Sequence, residues 1–236
     1  MNGDAVKRRI ITVQGSHASE QLRELVEEVM FRIVIGDRCV GRLSCSPWNV
    51  RHAAIGWLFM NGFIRCFDDI HTIEVMERSG DICVALKEHS SFLPHEELPS
   101  LETVTPVDII RFSSMLEERS QLYRRTGGVH CAALVRDSQF VAYEEDVSRH
   151  AAIDKVAGFC LENTIPMEHG ILVFSGRIPC EIVHKMETMG CSMIIARSAP
   201  TDYACRMAEE KNITIIGFAR DDTFNIYTCS HRITGI

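Results

Sequence analysis

The sequence predicts an α/β protein, and three observations carry that prediction. Short continuous apolar runs (VHCAALV, FVAYEE, GILVFS, SMIIARS, ITIIGFA, FNIYTC) recur through the second half of the chain. Amphipathic stretches of helical length lie between them. Those stretches open at Ser, Thr or Pro and close at Gly, the usual punctuation of helices. Continuous apolar strands alternating with helices belong to a sheet covered on both faces. Residues 106–236 are therefore expected to form a three-layer α/β/α domain. Residues 1–105 read as a smaller α+β unit of strands and one helix, with a linker.

In chain order, the first segment reads as strand, helix, strand. Val29 to Val40 (VMFRIVIGDRCV) holds two apolar runs around the turn dipeptide Gly36-Asp37, which predicts a hairpin. Ser46 before Pro47 reads as an N-cap followed by a helix-opening proline. Ala53, Ala54, Trp57, Leu58 and Phe63 then fall on one face at helical spacing, and Gly62 ends the run. Thr72 to Leu86 reads as two strands around Ser79-Gly80-Asp81. Residues 89–105 carry two prolines, three serines and little periodicity, and read as a loop or linker. Thr105 caps a second Pro-started helix whose apolar stripe is read as Val107, Ile110 and Leu116; it fades near Arg124-Arg125 and ends at Gly127-Gly128. Beyond it the order is β-β-α-β-α-β-α-β-β. A hairpin turns at Arg136 to Gln139, and helices cover about Ser148 to Asn163, Pro179 to Gly190 and Pro200 to Lys211.

Composition restricts the function classes. The chain has 236 residues, with 25 basic against 32 acidic side chains and a net charge of −7. Up to residue 125 there are 15 basic and 18 acidic residues, so the deficit is shared and neither half is a basic arm. Nucleic-acid binding needs clustered Lys and Arg and is not expected. The densest apolar run, Ala53 to Met60, is far short of the roughly 20 residues of a membrane span, and no apolar core of secretory length follows the N-terminal basic residues. Neither membrane insertion nor export is expected. Ten cysteines stand singly, with no C-x-x-C pair, the pattern of reduced cytoplasmic thiols serving mostly as small core residues.

In such a sheet, ligands lie beyond the carboxyl ends of strands, where loops lead into helix N-termini. Three loops qualify. EEDVSRHAAIDK gathers Asp146, Arg149, His150, Asp154 and Lys155, with His150 and Asp154 at i, i+4 spacing. FSGR (Ser175, Gly176, Arg177) pairs a glycine that permits close backbone approach with the free N–H groups of the next helix, a setting suited to phosphate. RSAPT, from Arg197 to Thr201, has the same strand-to-helix form. Polar residues at helix starts also serve as simple caps, and His130 in GGVHCA reads equally as a ligand or as a strand histidine. Zinc nucleobase deaminases share this β-β-α-β-α-β order, with H-x-E and P-C-x-x-C at helix starts. Pro179-Cys180 stands at the corresponding place, but Val183 replaces the second cysteine and His150-Ala151-Ala152 lacks the glutamate. No zinc site is expected.

The runs TGGVHCAALV, EEDVSRHAAIDKVAG, ILVFSGR, IIARSAPTDYACRMAEEKNITIIGF and NIYT, with CSPWNVRHAAIGWLFMNGFI earlier, closely resemble the FdhD family of formate dehydrogenase accessory sulfurtransferases. The resemblance extends from about Glu27 to Arg232. It implies a C-terminal domain of cytidine-deaminase-like fold without zinc and a cytoplasmic homodimer. It implies a protein that binds the guanine-dinucleotide molybdenum cofactor (bis-molybdopterin guanine dinucleotide), takes sulfur from a cysteine desulfurase and serves formate dehydrogenase. The family's cofactor-binding segment, following the penultimate strand, corresponds to Phe218, Ala219, Arg220, Asp221, Asp222 and Thr223, with Arg220 as the best cation. Arg149, His150, Ser175, Gly176 and Arg177 complete the expected cofactor site, which a guanine nucleotide also suits. The family's persulfide cysteine belongs to a C-x-x-C in the loop joining the halves. Residues 89–105 hold no cysteine, so no catalytic cysteine carries over, and a cofactor-binding chaperone without sulfur transfer is the alternative reading.

Overall fold

The computed structural model describes residues 5–87 and 103–236. The predicted linker falls mostly outside the described residues. Residues 6–25, to which the sequence reading gives no element, form an antiparallel hairpin of β1 (Val6–Gln14) and β2 (His17–Leu25), with Gly15 at positive φ in the turn. The next predicted hairpin is present as β3 (Val29–Ile35) and β4 (Arg38–Cys45). With β5 (Ile70–Met76) and β6 (Asp81–Leu86) it forms a four-stranded sheet in the order β4-β3-β6-β5.

Helix α1 (Val50–Met60) starts later than Ser46-Pro47 predicts, capped by Asn49 in the left-handed region. Ser46 is unavailable as a cap because other partners hold it. Its N–H donates to Asp146 Oδ2 (2.9 Å) and its hydroxyl accepts from the Val147 N–H (2.9 Å). The predicted apolar face of α1 is otherwise right: Ala53, Ala54 and Leu58 are buried, and Trp57 stacks on Phe63.

Helix α2 (Pro106–Arg119) begins as read, with Thr105 and Asp108 forming a capping box around Pro106. Its buried face differs from the reading. Val107 is 75% exposed, and the face turned to the sheet is Ile109, Phe112, Ser113 and Leu116. The first turn of a helix overhangs its support, so an apolar residue there need not join the stripe. The predicted single helix also breaks at Ser120 (ψ 59°) and resumes as α3 (Gln121–Thr126), closed by Gly127 at positive φ.

The remaining elements keep the predicted order: β7 (His130–Arg136), β8 (Gln139–Asp146), α4 (Arg149–Glu162), β9 (Ile171–Phe174), α5 (Cys180–Met189), β10 (Met193–Ala196), α6 (Asp202–Glu210), β11 (Thr214–Arg220) and β12 (Thr223–Ile226). They build a six-stranded sheet ordered β12-β11-β10-β9-β7-β8. Strands β9, β10 and β11 are parallel, and the outer pairings are antiparallel. The sheet is covered on both faces. Ile109, Phe112 and Leu116 of α2 pack on Cys131, Ala133, Val173 and Ile195. The opposite face meets α4, α5 and α6, whose Ile153, Ile182 and Ala204 join a core that runs on through Ala54 and Ile55 of α1 to Ile33 and Ile82 of the small sheet.

Helices α1 and α4 meet backbone to backbone. A Cβ on Gly56 would lie 1.8 Å from the Asp154 carbonyl oxygen, and one on Gly158 would lie 1.9 Å from that of His52. This contact fixes the small sheet and its helix against the large sheet.

Candidate functional site

The β8–α4 loop is held from beneath by a buried ion pair. Lys155 Nζ and Asp146 Oδ2 stand 2.6 Å apart, both fully buried, with the Trp48 ring 5.0 Å from the ammonium. Asp146 also accepts from the Ser46 and Ser148 N–H groups, and Ser148 caps α4 through Ala151 N–H. Asp154 is buried against Lys185. Asp146 and Lys155 pair with each other and Asp154 pairs with Lys185, so the three charges brace the loop from below. What they position is the start of α4.

At the carboxyl edge of the sheet the structure brings together Arg149, His150, Ser175, Gly176 and Arg177, with His130 among them. His130 Nδ1 lies 3.3 Å from Ser175 Oγ, which in turn accepts from the Cys131 N–H (2.9 Å). Burial first, then the Arg149 and Arg177 guanidiniums, hold the His130 pKa below its usual value. Burial and the cations Lys185 and Arg149 do the same for His150, against Glu181. Both imidazoles therefore favour the neutral form. Arg149 Nε is buried without a hydrogen-bond partner. Gly176 is required where it stands, because a Cβ there would come within 2.6 Å of the Phe174 ring.

Beside this group, on the α2–α3 face, opens a cavity of about 860 Å³ lined by Ser120, Arg124, His130, Ser175, Arg197 and Arg220, among others. Arg197 pairs with Glu117, and Arg124 donates to the Glu117 carbonyl. Cys131 lies on the cavity wall, its thiol bonded to Ser120 Oγ and within 3.8 Å of Glu145 Oε1; burial pushes it up to about 11.

The segment Phe218–Thr223 does not follow the penultimate strand as a loop. Phe218 to Arg220 belong to β11, Asp221 and Asp222 make the two-residue turn, and Thr223 opens β12. The register shifts between Gly217 and Arg220, and Arg220 then pairs with Thr223, which leaves room for only the two-residue turn. Ala219 is buried, its carbonyl accepting from Ser113. Of these six residues only Arg220 lines the cavity; the two aspartates are exposed at the hairpin tip.

Sequence reasoning missed Ser120, Arg124 and Cys131 as cavity residues. Arg124 sits in the last turn before Gly127-Gly128, and that Arg-Arg-Thr-Gly-Gly run into a strand was the available signal. The break at Ser120 that opens the cavity has no such signal. Among the described residues no group of three or more His, Cys, Asp or Glu side chains is placed to hold a metal ion, and no helix is long and apolar enough to cross a membrane.

Comparison with known proteins agrees with this architecture. The chain is 35% identical to the sulfur carrier protein FdhD of Bacillus pumilus, over 99% of this chain and 100% of that protein. It is 32% identical to that of Halalkalibacterium halodurans, over 96% and 94%. A crystal structure of a candidate formate dehydrogenase accessory protein from Desulfotalea psychrophila superposes with a TM-score of 0.85 at 23% identity, covering 98% of this chain and 100% of that one, and establishes the shared fold. The sequence pattern of the FdhD/NarQ family matches residues 90–234. The chain belongs to the FdhD/NarQ family.

Proposed function

We propose that this chain is a sulfur-carrying accessory protein for formate dehydrogenase that binds the guanine-dinucleotide molybdenum cofactor at the carboxyl edge of its large sheet. The observation that carries the reading is the convergence there of Arg149, Arg177, Arg197 and Arg220 with the N-termini of α4 and α5 beside an 860 Å³ cavity. Helix N-termini and guanidiniums attract anions, and a guanidinium holds a pyrophosphate in bidentate fashion. The donor set fits such a group: Arg149 Nε is buried with an unused hydrogen. The cofactor would supply the metal chemistry; Arg149 and Arg177, with the N-termini of α4 and α5, would hold its phosphates, beside imidazoles that burial and the same cations keep neutral. The incoming sulfur is assigned to a cysteine desulfurase.

Other parts of the reading have their own support. Ten free thiols suit a reducing cytoplasm. A cytidine-deaminase-like topology is supported by the edge hairpin β7–β8 followed by parallel β9, β10 and β11 with helices between. A homodimer is supported by the exposed apolar face of the β1–β2 hairpin.

Calorimetry with guanosine diphosphate tests the binding site. The unmodified protein is expected to bind, and Arg177→Lys or Arg149→Lys to weaken affinity roughly tenfold, about 1.4 kcal/mol, because an ammonium cannot reproduce the bidentate contact. Unchanged affinity in both variants sends the nucleotide elsewhere, and absence of binding at high micromolar protein ends the cofactor reading. Binding without any sulfur loading would leave a cofactor chaperone, the reading that the cysteine-free segment 89–105 favours.

A further inference from the structure

His130, the first residue of β7, is half-buried on the cavity wall beside the loop that follows β9. One edge of its ring is held, with Nδ1 3.3 Å from Ser175 Oγ. Ser175 itself has little freedom. Its N–H donates to the Cys131 carbonyl (3.0 Å), its Oγ accepts from the Cys131 N–H (2.9 Å), and its carbonyl accepts from Ser198 Oγ (3.4 Å). The serine is thus tied to β7 on one side and to the RSAPT loop on the other, and its hydroxyl meets a single imidazole nitrogen.

The direction of the His130–Ser175 hydrogen bond follows from what each atom still needs. A hydroxyl has one proton and two lone pairs, and the Cys131 N–H takes one of the lone pairs. Among the described residues, the one acceptor within reach of the Ser175 proton is His130 Nδ1. A ring proton on Nδ1 would leave that hydroxyl without an acceptor and make Nε2 a bare acceptor. Burial, then the Arg149 and Arg177 guanidiniums, keep the ring neutral, yet neither guanidinium donates to it. Arg149 Nε even stays buried without a partner. Donors that close leave an N–H alone and would seek out an acceptor, so Nε2 carries the proton. Nε2 is open to solvent and has no partner among the described residues.

We propose that His130 is a specificity-determining residue of the crevice, presenting Nε2–H to a phosphate oxygen of a nucleoside diphosphate, and that Ser175 fixes it in that tautomer. The proposal rests on the nucleotide-binding reading above and deepens it. Arg149 and Arg177 supply charge, which attracts any anion. The imidazole supplies one directed N–H without charge, so it selects where an acceptor oxygen must sit. A ligand with a donor or an apolar group at that point leaves the N–H desolvated and unpaired, and an unpaired polar group in a site is what rejects wrong ligands most strongly. Ser175 acts through Nδ1 and is a positioning residue.

Two measurements on the full chain test this. NMR of protein carrying nitrogen-labelled histidine, with His130→Gln to assign the signal, is expected to show Nε2 protonated and Nδ1 bare. Ser175→Ala is expected to shift that signal toward a mixture of tautomers. In calorimetry with guanosine diphosphate, His130→Gln should bind within about threefold of the unmodified chain, because its amide nitrogen reaches the Nε2 position. His130→Asn, whose amide reaches only the Nδ1 position, should weaken binding roughly tenfold, and Ser175→Ala about threefold. A merely structural role would change the melting temperatures of the Asn and Gln variants without separating their affinities. A proton on Nδ1 in the unmodified chain overturns the proposal, as do equal affinities in His130→Asn and His130→Gln; both results leave the nucleotide reading standing. Absence of guanosine diphosphate binding by the unmodified chain overturns the nucleotide reading and the role of His130 together.

Discussion

His130 and His150 show how single residues report on the site. Burial is the largest influence on each, followed by cations: Arg149 and Arg177 for His130, Lys185 and Arg149 for His150. All of these disfavour the imidazolium, so each folded-state pKa falls below the unfolded value of about 6.5. The sign of the linkage follows. Above about pH 6.5 both folded and unfolded chains hold neutral imidazoles, and the two residues add no pH dependence. As pH falls below that value the unfolded chain binds protons first, and stability declines toward the folded-state pKa. Melting temperatures at pH 7.5 and 5.5 should therefore diverge less in His130→Gln and His150→Gln than in the unmodified chain. An equal divergence would mean that neither imidazole is held neutral. An anion bound at Arg149 and Arg177 offsets the repelling charge, and the same pair of measurements with guanosine diphosphate should show the divergence shrink.

At the scale of elements, the α1–α4 contact is the joint of the molecule. Gly56 and Gly158 let two helix backbones touch. Around them His52 Nδ1 lies 3.2 Å from Glu144, His52 Nε2 lies 3.2 Å from Glu162, and Arg51 pairs with Glu162 at 2.7 Å. Even a methyl group at Gly56 would meet backbone, which has no rotamer to adopt, so Gly56→Ala should cost about 3 kcal/mol, the upper end of overpacking effects. Chemical denaturation reads this directly; a loss below about 1 kcal/mol would mean that the helices can part without cost. The same joint explains which elements were readable. Thr105-Pro106, Ser148, Thr201, Gly127 and Gly190 are caps satisfied within their own helix turn, so local sequence suffices to find them. Ser46 has the same local signature, but its hydrogen bonds go to residues about a hundred positions later, and α1 starts at Val50 instead. Val107 and Ile110 fit a helical stripe by spacing, yet the sheet meets the adjacent face.

For the whole molecule, the sequence located the edge of the sheet where the candidate site lies, because strand-to-helix loops mark themselves with Gly, Ser and Pro. It did not locate the cavity, which depends on how α2 breaks over β7, nor the hairpin of residues 6–25. That hairpin is the surface on which the proposed homodimer rests. Its strands pair Arg9 with Leu22, Ile11 with Glu20 and Val13 with Ala18, so Ile11, Val13 and Leu22 share one face, each 64% exposed or more. A two-stranded hairpin is marginal in water without a surface to rest on. Residues 6–25 carry four basic against two acidic side chains in a chain whose net charge is −7, so the rest of a second copy is an electrostatically suited surface. Burying apolar side chains of this size contributes about 1.5–3 kcal/mol each. Replacing two of them with charge should therefore raise a dimer dissociation constant by at least about a hundredfold. Light scattering across a concentration series is expected to give a dimer for the unmodified chain and a monomer for Ile11→Asp with Leu22→Asp. Both residues are exposed and distant in sequence from the arginines of the crevice, so the variant should keep its affinity for guanosine diphosphate, while its melting temperature loses the part that dimerisation contributes. A monomeric unmodified chain, or a variant that stays dimeric, would remove the hairpin from the interface.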